Sequence, residues 1–223
     1  MSRTLGNIFI SHSQKDTSLI AIVQQILVNV GHTPIIEEFI PESEKQPIPH
    51  DEIQRNVSVS DAVFLFLTDN VLATEYTRNW VVFEVGLARQ AEKRVFVFER
   101  QGVPIPYPIP YVTDYLIFDP ESIRDLLAIQ TIAKELVGKI PAGWIGAGAG
   151  ALLGAVFGPL GSAIGAIAGG LLGHGADVQA EAKIPLIECP YENCHIRFRY
   201  YSPNITSFKC PTCRQQITLV RWG

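Results

Sequence analysis

The chain has 223 residues, of which 47% are hydrophobic and 18% are charged, and its formal net charge is −4 at pH 7. This composition excludes a disordered chain and argues against a general nucleic-acid binder. The length allows one full-sized domain with a smaller unit attached. The N-terminal segment lacks the charged and apolar regions of a secretory signal, so we expect a cytoplasmic protein.

Between residues 7 and 138, short apolar strands alternate with helical patterns. The run "DAVFLFL" is continuously apolar, which is typical of a central parallel strand buried on both faces. We predict strands at "NIFIS", "TPIIE", "DAVFLFL", "RVFVFE" and "DYLIFD", with helices at "DTSLIAIVQQILVNVG", at residues 50–57, at "TRNWVVFEVGLARQAEK" and at "PESIRDLLAIQTIAKELVGK". The alternation predicts an α/β fold over residues 1–139, with a doubly wound, flavodoxin-like, five-stranded parallel sheet.

The loop after the first strand, "SHSQKD", offers hydroxyls, an imidazole and backbone N–H groups at the start of a helix. Ligands of doubly wound sheets bind outside the carboxyl ends of the strands, where this loop lies. Ser11, His12 and Ser13 are therefore candidate binding residues for a phosphate or a ribose. The structural alternative is a turn that only caps the following helix through Asp16.

The stretch "NWVVFEVGLA" places two candidate residues on one helix face. Trp80 and Glu84 are four positions apart, so they are neighbours on the helix surface. Glu84 has apolar neighbours on nearly every side, which indicates a residue that faces a pocket rather than solvent. Trp80 is a candidate substrate-binding residue that would stack on a ribose or a ring. The alternatives are a buried Glu84 bonded to the backbone or to Arg78, and a Trp80 that only packs the helix.

These stretches together resemble the Toll/interleukin receptor (TIR) domain family over residues 5–138. The matching elements are "IFISHSQKD", a proline-bearing loop at residues 37–49 and the helix "WVVFEVGLA". The resemblance implies that Glu84 is the catalytic residue of an NAD+ glycohydrolase, with NAD+ as the substrate. It also implies activation by self-assembly and a role in immune defence or as a toxin. Two alternatives stay open, a non-enzymatic TIR scaffold and a different nucleoside glycosidase or transferase.

A glycine-rich segment follows the α/β domain. Residues 140–176 contain no Asp, Glu, Lys or Arg, and glycines recur at every fourth residue on either side of "GPLG". This spacing predicts a glycine-zipper pair of short helices that pack closely against other copies of the chain. The segment would either enter a membrane as a hairpin or be buried in a soluble oligomer, because so long an uncharged stretch is a hazard in a soluble monomer.

All four cysteines lie in the C-terminal segment 184–223, in two close pairs. Cys189 and Cys194 form the first pair, and Cys210 and Cys213 form the second. This spacing suits one tetrahedral, structural Zn²⁺ ion. The segment resembles a zinc ribbon, which would form a small third domain that needs the metal to fold. Its basic and aromatic residues suit either a polyanion or, as we expect, a protein partner.

Overall fold

The computed structural model describes residues 6–36, 50–73, 75–103, 105–137, 184–202 and 204–219. The predicted loop at 37–49 and the predicted glycine-zipper helices at 140–176 lie outside these residues. The chain divides into two compact units, which are Met1–Ala133 together with Ile184–Gly223, and Lys134–Lys183. Apart from residues 134–137, all described residues belong to the first unit.

The first part of the chain alternates strands and helices, and all five predicted strands are present. In chain order the elements are β1 (Asn7–Ser11), α1 (Thr17–Asn29), β2 (Thr33–Ile36), α2 (His50–Val59), β3 (Ala62–Leu67), α3 (Asp69–Leu72), α4 (Glu75–Gln90), β4 (Arg94–Arg100), β5 (Asp114–Phe118) and α5 (Ile123–Val137). β3 is buried at every residue, as its continuous apolar sequence predicts. Within the described ranges, no helix is long and apolar enough to cross a membrane.

The C-terminal segment joins the same sheet. It contains four short strands, β6 (Leu186–Glu188), β7 (Arg197–Tyr200), β8 (Ser207–Lys209) and β9 (Gln216–Thr218). The main sheet has the strand order β2-β1-β3-β4-β5-β7-β6, and all neighbouring pairs are parallel except β6 and β7. β8 and β9 form a separate antiparallel pair. The predicted five-stranded parallel sheet is therefore extended by two strands, because β5 pairs with β7 instead of forming an edge.

One face of the sheet shares a hydrophobic core with the elements that cover it. α2 contacts β1 on this face, while α4 contacts β3 and β4. The C-terminal segment completes the same core with six buried side chains, namely Cys189, Phe198, Tyr200, Phe208, Cys210 and Ile217. The buried residues of α1 and α5 fall outside this core, as expected for helices on the opposite face.

The connection from β4 to β5 differs from the other crossovers of the parallel sheet. Residues 101–113 contain prolines at every second position from 104 to 110, and their described part contains no helix. Closely spaced prolines exclude a helix, because each one removes a backbone donor and clashes with the preceding turn. The core face beside β4 and β5 is consequently covered by the C-terminal segment, not by a crossover helix.

Candidate active site and metal centre

Ser11 and Glu84 meet at the carboxyl end of β1. Ser11 is the last residue of that strand and Glu84 lies in α4, so the fold joins residues that are 73 positions apart. The Ser11 hydroxyl donates a hydrogen bond to Glu84 Oε2. Both residues are buried, with 3% and 5% of their surfaces exposed. A carboxylate so far removed from water needs such donors, because desolvation of an unpaired charge is costly.

The next two residues of the predicted binding loop make local hydrogen bonds. The Ser13 hydroxyl accepts from the Lys15 N–H at 3.4 Å, and His12 Nδ1–H donates to the Ser13 carbonyl at 2.8 Å. Burial lowers the pKa of His12, although its hydrogen bond and the charge of Asp16 oppose that shift. The ring is therefore neutral near pH 7. A binding role for His12 and Ser13 stays a prediction.

Asp16 ties the same loop to the neighbouring strand. It was expected to cap α1, but its side chain makes no capping hydrogen bond there. Its carboxylate instead accepts from Thr68 Oγ1–H and from Asn70 Nδ2–H, both at 2.6 Å. Thr68 directly follows β3, so the carboxyl ends of β1 and β3 are held together. The sequence signal for this contact was a short polar run immediately after a buried strand.

Trp80 lies one helical turn before Glu84 and is half-buried. Its ring stacks on His50, with ring centroids 5.3 Å apart, and meets Phe83 edge-on at 5.6 Å. His50 begins α2, so these rings link α2 and α4 on the core side of the sheet. The contacts agree with the packing alternative for Trp80. Contact between Trp80 and a substrate stays a prediction.

The four cysteines converge in the C-terminal segment. Their sulfur atoms all lie within 4.8 Å of one another, and Cys189 and Cys210 are buried. Two of the Sγ–Sγ distances, from Cys189 to Cys213 and from Cys194 to Cys210, are 3.6 and 3.8 Å. A disulfide would require about 2.05 Å. Tetrahedral Zn²⁺ with bonds of about 2.3 Å requires sulfur atoms about 3.8 Å apart. The cluster is therefore compatible with a zinc site.

Each cysteine pair forms a turn whose backbone N–H groups point at sulfur. The N–H of Tyr191 donates to Cys189, and the N–H of Gln215 donates to Cys213. Burial raises the pKa of Cys189 to about 11. Burial also raises the pKa of Cys213, but the Gln215 N–H and the neighbouring thiols outweigh it and leave that pKa lowered. Metal binding requires deprotonated thiols, so loading the site would release protons.

Each cysteine turn is followed directly by a residue with a positive φ. His195 follows Cys194 with φ of 45°, and Arg214 follows Cys213 with φ of 60°. Both residues therefore occupy the left-handed region, which ordinarily favours glycine. The Arg214 side chain reaches Glu99 at the end of β4, whereas that of His195 is 62% exposed.

The α/β part of the chain is similar to a known family of proteins. Residues 7–109, a little under half of the chain, match the family model described as "CAP12/Pycsar effector protein, TIR domain". The match supports a TIR-domain family for that part of the chain. No curated protein matches the chain. Among solved structures it is similar to "Structure of Clostridium botulinum CMP N-glycosidase, BcmB", at 13% identity and a TM-score of 0.38 over 56% of this chain and 97% of that chain. This similarity is too low to assign a function.

Proposed function

We propose that the protein is an NAD+ glycohydrolase that releases nicotinamide, and that Glu84 is its catalytic residue. The observation that carries the proposal is the buried Glu84 carboxylate, held by Ser11 at the carboxyl end of β1. Ligands of doubly wound sheets bind at that end of the strands. The TIR-domain match over residues 7–109 supports the same reading, because it includes both residues.

One carboxylate is enough for this reaction. Nicotinamide in NAD+ is already cationic, so no general acid is needed to expel it. When the bond between ribose C1′ and the nicotinamide nitrogen breaks, its electron pair stays on that nitrogen and the base leaves as a neutral molecule. Positive charge then develops on the ribose, and the Glu84 carboxylate stabilises it. Water adds to C1′ and gives up a proton, which completes the hydrolysis.

Ser11 acts in this scheme as a positioning residue, and its direct contact with the substrate stays a prediction. Its hydroxyl fixes Glu84 Oε2, which limits the carboxylate to one orientation before NAD+ arrives. His12, Ser13 and Trp80 remain the proposed substrate-binding residues, since they lie on the same loop or the same helix as this pair.

We further propose that Cys189, Cys194, Cys210 and Cys213 bind one structural Zn²⁺. Four thiolates form a closed tetrahedral shell that leaves no position for a substrate. The sulfur–sulfur distances of 3.6 and 3.8 Å support this assignment. The proposal gives the metal no part in NAD+ cleavage.

The matched family model carries the word effector, which supports a role in antiviral defence, in signalling or as a toxin. In that role the protein would act through self-assembly of its TIR domains, aided by the predicted glycine zipper at 140–176, either in the cytoplasm or at a membrane. The C-terminal segment would present a surface to a further protein partner.

The test is nicotinamide release from NAD+ by the concentrated full-length protein. We expect turnover by the wild type and a loss of about 10³-fold in Glu84→Gln, because the charge that stabilises the transition state is gone. Glu121→Gln is the matched control, since Glu121 is an exposed residue beyond β5. Wild-type protein that leaves NAD+ intact would favour the scaffold alternative. Equal turnover by Glu84→Gln would reject Glu84 as the catalytic residue.

A further inference from the structure

The C-terminal metal unit, residues 184–219, occupies the place of a missing crossover helix. In a doubly wound sheet, helices cover both faces, and each parallel crossover ordinarily supplies one of them. The proline-rich connection at 101–113 supplies no helix in its described residues, yet its Ile105, Ile109 and Val112 are buried in the core. The metal unit contributes its own buried residues to that same core.

Aromatic side chains make the contact between β5 and the metal unit. Tyr115 of β5 packs edge-on against Phe198 at 5.7 Å and lies 5.8 Å from Phe208, measured between ring centroids. Phe208 in turn stacks on Tyr200 at 4.4 Å. These rings are all at most 5% exposed. A helix would normally supply such side chains at this position.

The second cysteine turn also contacts the proline-rich connection and β4. The Ile109 N–H donates to the carbonyl of Pro211, which lies between Cys210 and Cys213, at 2.9 Å. The residue after Cys213 is Arg214, whose guanidinium donates to both carboxylate oxygens of Glu99 at 3.2 and 3.3 Å. Pro211 lies between two of the metal ligands and Arg214 directly follows one of them, so both contacts are made from the second cysteine turn.

The Arg214–Glu99 ion pair is enclosed by protein. Only 12% of the Arg214 side chain and 8% of the Glu99 side chain are exposed. The Tyr115 hydroxyl donates a third hydrogen bond to Glu99, at 2.7 Å. Because a buried carboxylate without partners is strongly disfavoured, the position of Arg214 matters for the end of β4.

A second polar anchor holds the metal unit at the start of β5. Asp114 is almost fully buried and accepts from Arg199 of β7 at 2.9 Å and from the Tyr201 hydroxyl at 3.1 Å. The Ser202 hydroxyl accepts a hydrogen bond from the Ile117 N–H and donates one to the Ile117 carbonyl, both at 2.8 Å. Both ends of β5 are therefore bonded to the C-terminal segment.

We propose that Zn²⁺ binding by the four cysteines stabilises the fold of the whole α/β domain, because the metal unit completes its core over β4 and β5. β8 and β9 have only three residues each, and so short a hairpin does not hold its shape without support. The metal supplies that support and fixes Arg214 against Glu99. This inference rests on the proposed zinc site and is independent of NAD+ cleavage.

The experiment follows zinc content, thermal unfolding and hydrogen exchange of the full-length protein before and after treatment with a chelator. We expect one zinc per chain before treatment and none after it. Its loss should lower the unfolding midpoint by about 10 °C or more. Protection of the β4 and β5 amides should fall by about 100-fold, and added Zn²⁺ should restore both. Protein without zinc as purified would overturn the zinc site and this inference together.

Two variants separate the metal from its contact with β4. Cys210→Ser should behave as the chelated protein does, whereas Arg214→Met should keep its zinc and lose protection mainly at the end of β4. Zinc loss that leaves the unfolding midpoint and the β4 and β5 amides unchanged would overturn the inference, since the metal unit would then fold separately. Full protection of the amides at the end of β4 in Arg214→Met would likewise show that the contact between Arg214 and Glu99 does not stabilise that strand.

Discussion

The Glu84 region, which is the pair of Glu84 and Ser11, and the cysteine cluster lie on the same sheet but differ in their chemistry. Glu84 is a buried carboxylate that accepts a hydrogen bond from the Ser11 hydroxyl at the carboxyl end of β1, where ligands of such sheets bind. The cysteine cluster is a set of four soft ligands that would enclose a metal completely. In the proposed function the Glu84 carboxylate faces the substrate, whereas a closed thiolate shell leaves no position for one. We therefore assign chemistry to one region and stability to the other.

The position of the two regions supports this division. β3 and β4 lie between β1 and β5 in the sheet. Three strand spacings of about 4.8 Å separate β1 from β5 by roughly 14 Å. A change in one region should therefore affect the other through the stability of the shared core, and not through direct contact with the substrate.

The largest effect is expected from Glu99→Ala. The substitution leaves the buried Arg214 without its carboxylate, so we expect a loss of about 3 kcal/mol in the free energy of unfolding. Asp69→Ala is the matched control, because Asp69 and Arg100 form an exposed pair and the loss there should stay below about 1 kcal/mol. Urea unfolding measures both.

The turnover of folded Glu99→Ala protein should stay within about twofold of wild type, since Glu99 lies outside the Glu84 region. Equal stability of the two variants would show that the buried pair does not anchor the metal unit. A large loss of turnover in fully folded Glu99→Ala would break the division between the two regions.

The burial of Glu84 was predicted from the sequence, whereas the place of the metal unit in the sheet was not, and the reason is physical. Glu84 was found because a charged residue within an apolar helix face needs a special environment, and Ser11 because it ends a strand. Their mutual hydrogen bond could not be read from the sequence, because it depends on how α4 packs over β1. Asp16 occupies the predicted N-cap position of α1, but its carboxylate accepts from Thr68 instead of from the helix N–H groups, and the sequence does not distinguish these two partners.

The place of the C-terminal segment was harder to predict for a different reason. Cysteine spacing predicted a common metal site, because ligands of one ion must converge. The spacing carries no information about what the metal unit packs against. Its strands have three or four residues, and the pairing of β7 with β5 joins residues that are 85 positions apart. The prolines between β4 and β5 were the available signal, since they exclude a covering helix.

A smaller effect is expected in the Glu84 region from Ser11→Ala. Loss of the hydroxyl leaves Glu84 less well positioned, so turnover of NAD+ should fall by about 10- to 100-fold. The acid limb of the pH–rate profile should also move to higher pH, because the charged carboxylate loses a hydrogen bond that favours it. Steady-state kinetics across pH measure both changes.

Ser11→Thr is the conservative control, since it keeps the hydroxyl and suits a strand. It should recover most of the turnover and the wild-type pH profile. A Ser11→Ala protein with an unchanged profile would count against the positioning role. Ser11→Ala should lower the unfolding midpoint less than Glu99→Ala does, because it removes one hydrogen bond from Glu84 and not the partner of a buried charge.

The smallest effect is expected at the two left-handed residues of the cysteine turns. His195→Gly should stabilise the protein by about 0.5–1 kcal/mol, because glycine adopts a φ of 45° without a steric penalty. Arg214→Gly removes the same steric penalty of a positive φ but also removes the ion pair with Glu99, so it should destabilise the protein. Thermal unfolding gives the sign of each change. Stabilisation by both changes would mean that the Arg214 side chain contributes little, and destabilisation by His195→Gly would contradict the backbone argument.

The central claim is that Glu84 cleaves NAD+ while the cysteine-bound metal only stabilises the fold. The most direct test compares nicotinamide release by the full-length protein loaded with Zn²⁺ and with Cd²⁺, a second ion that soft thiolate ligands bind. With both proteins fully folded, we predict rates that agree within about twofold, since a closed thiolate site has no position for substrate. A rate that changes more than about tenfold with the metal, or no release with either metal, would contradict it.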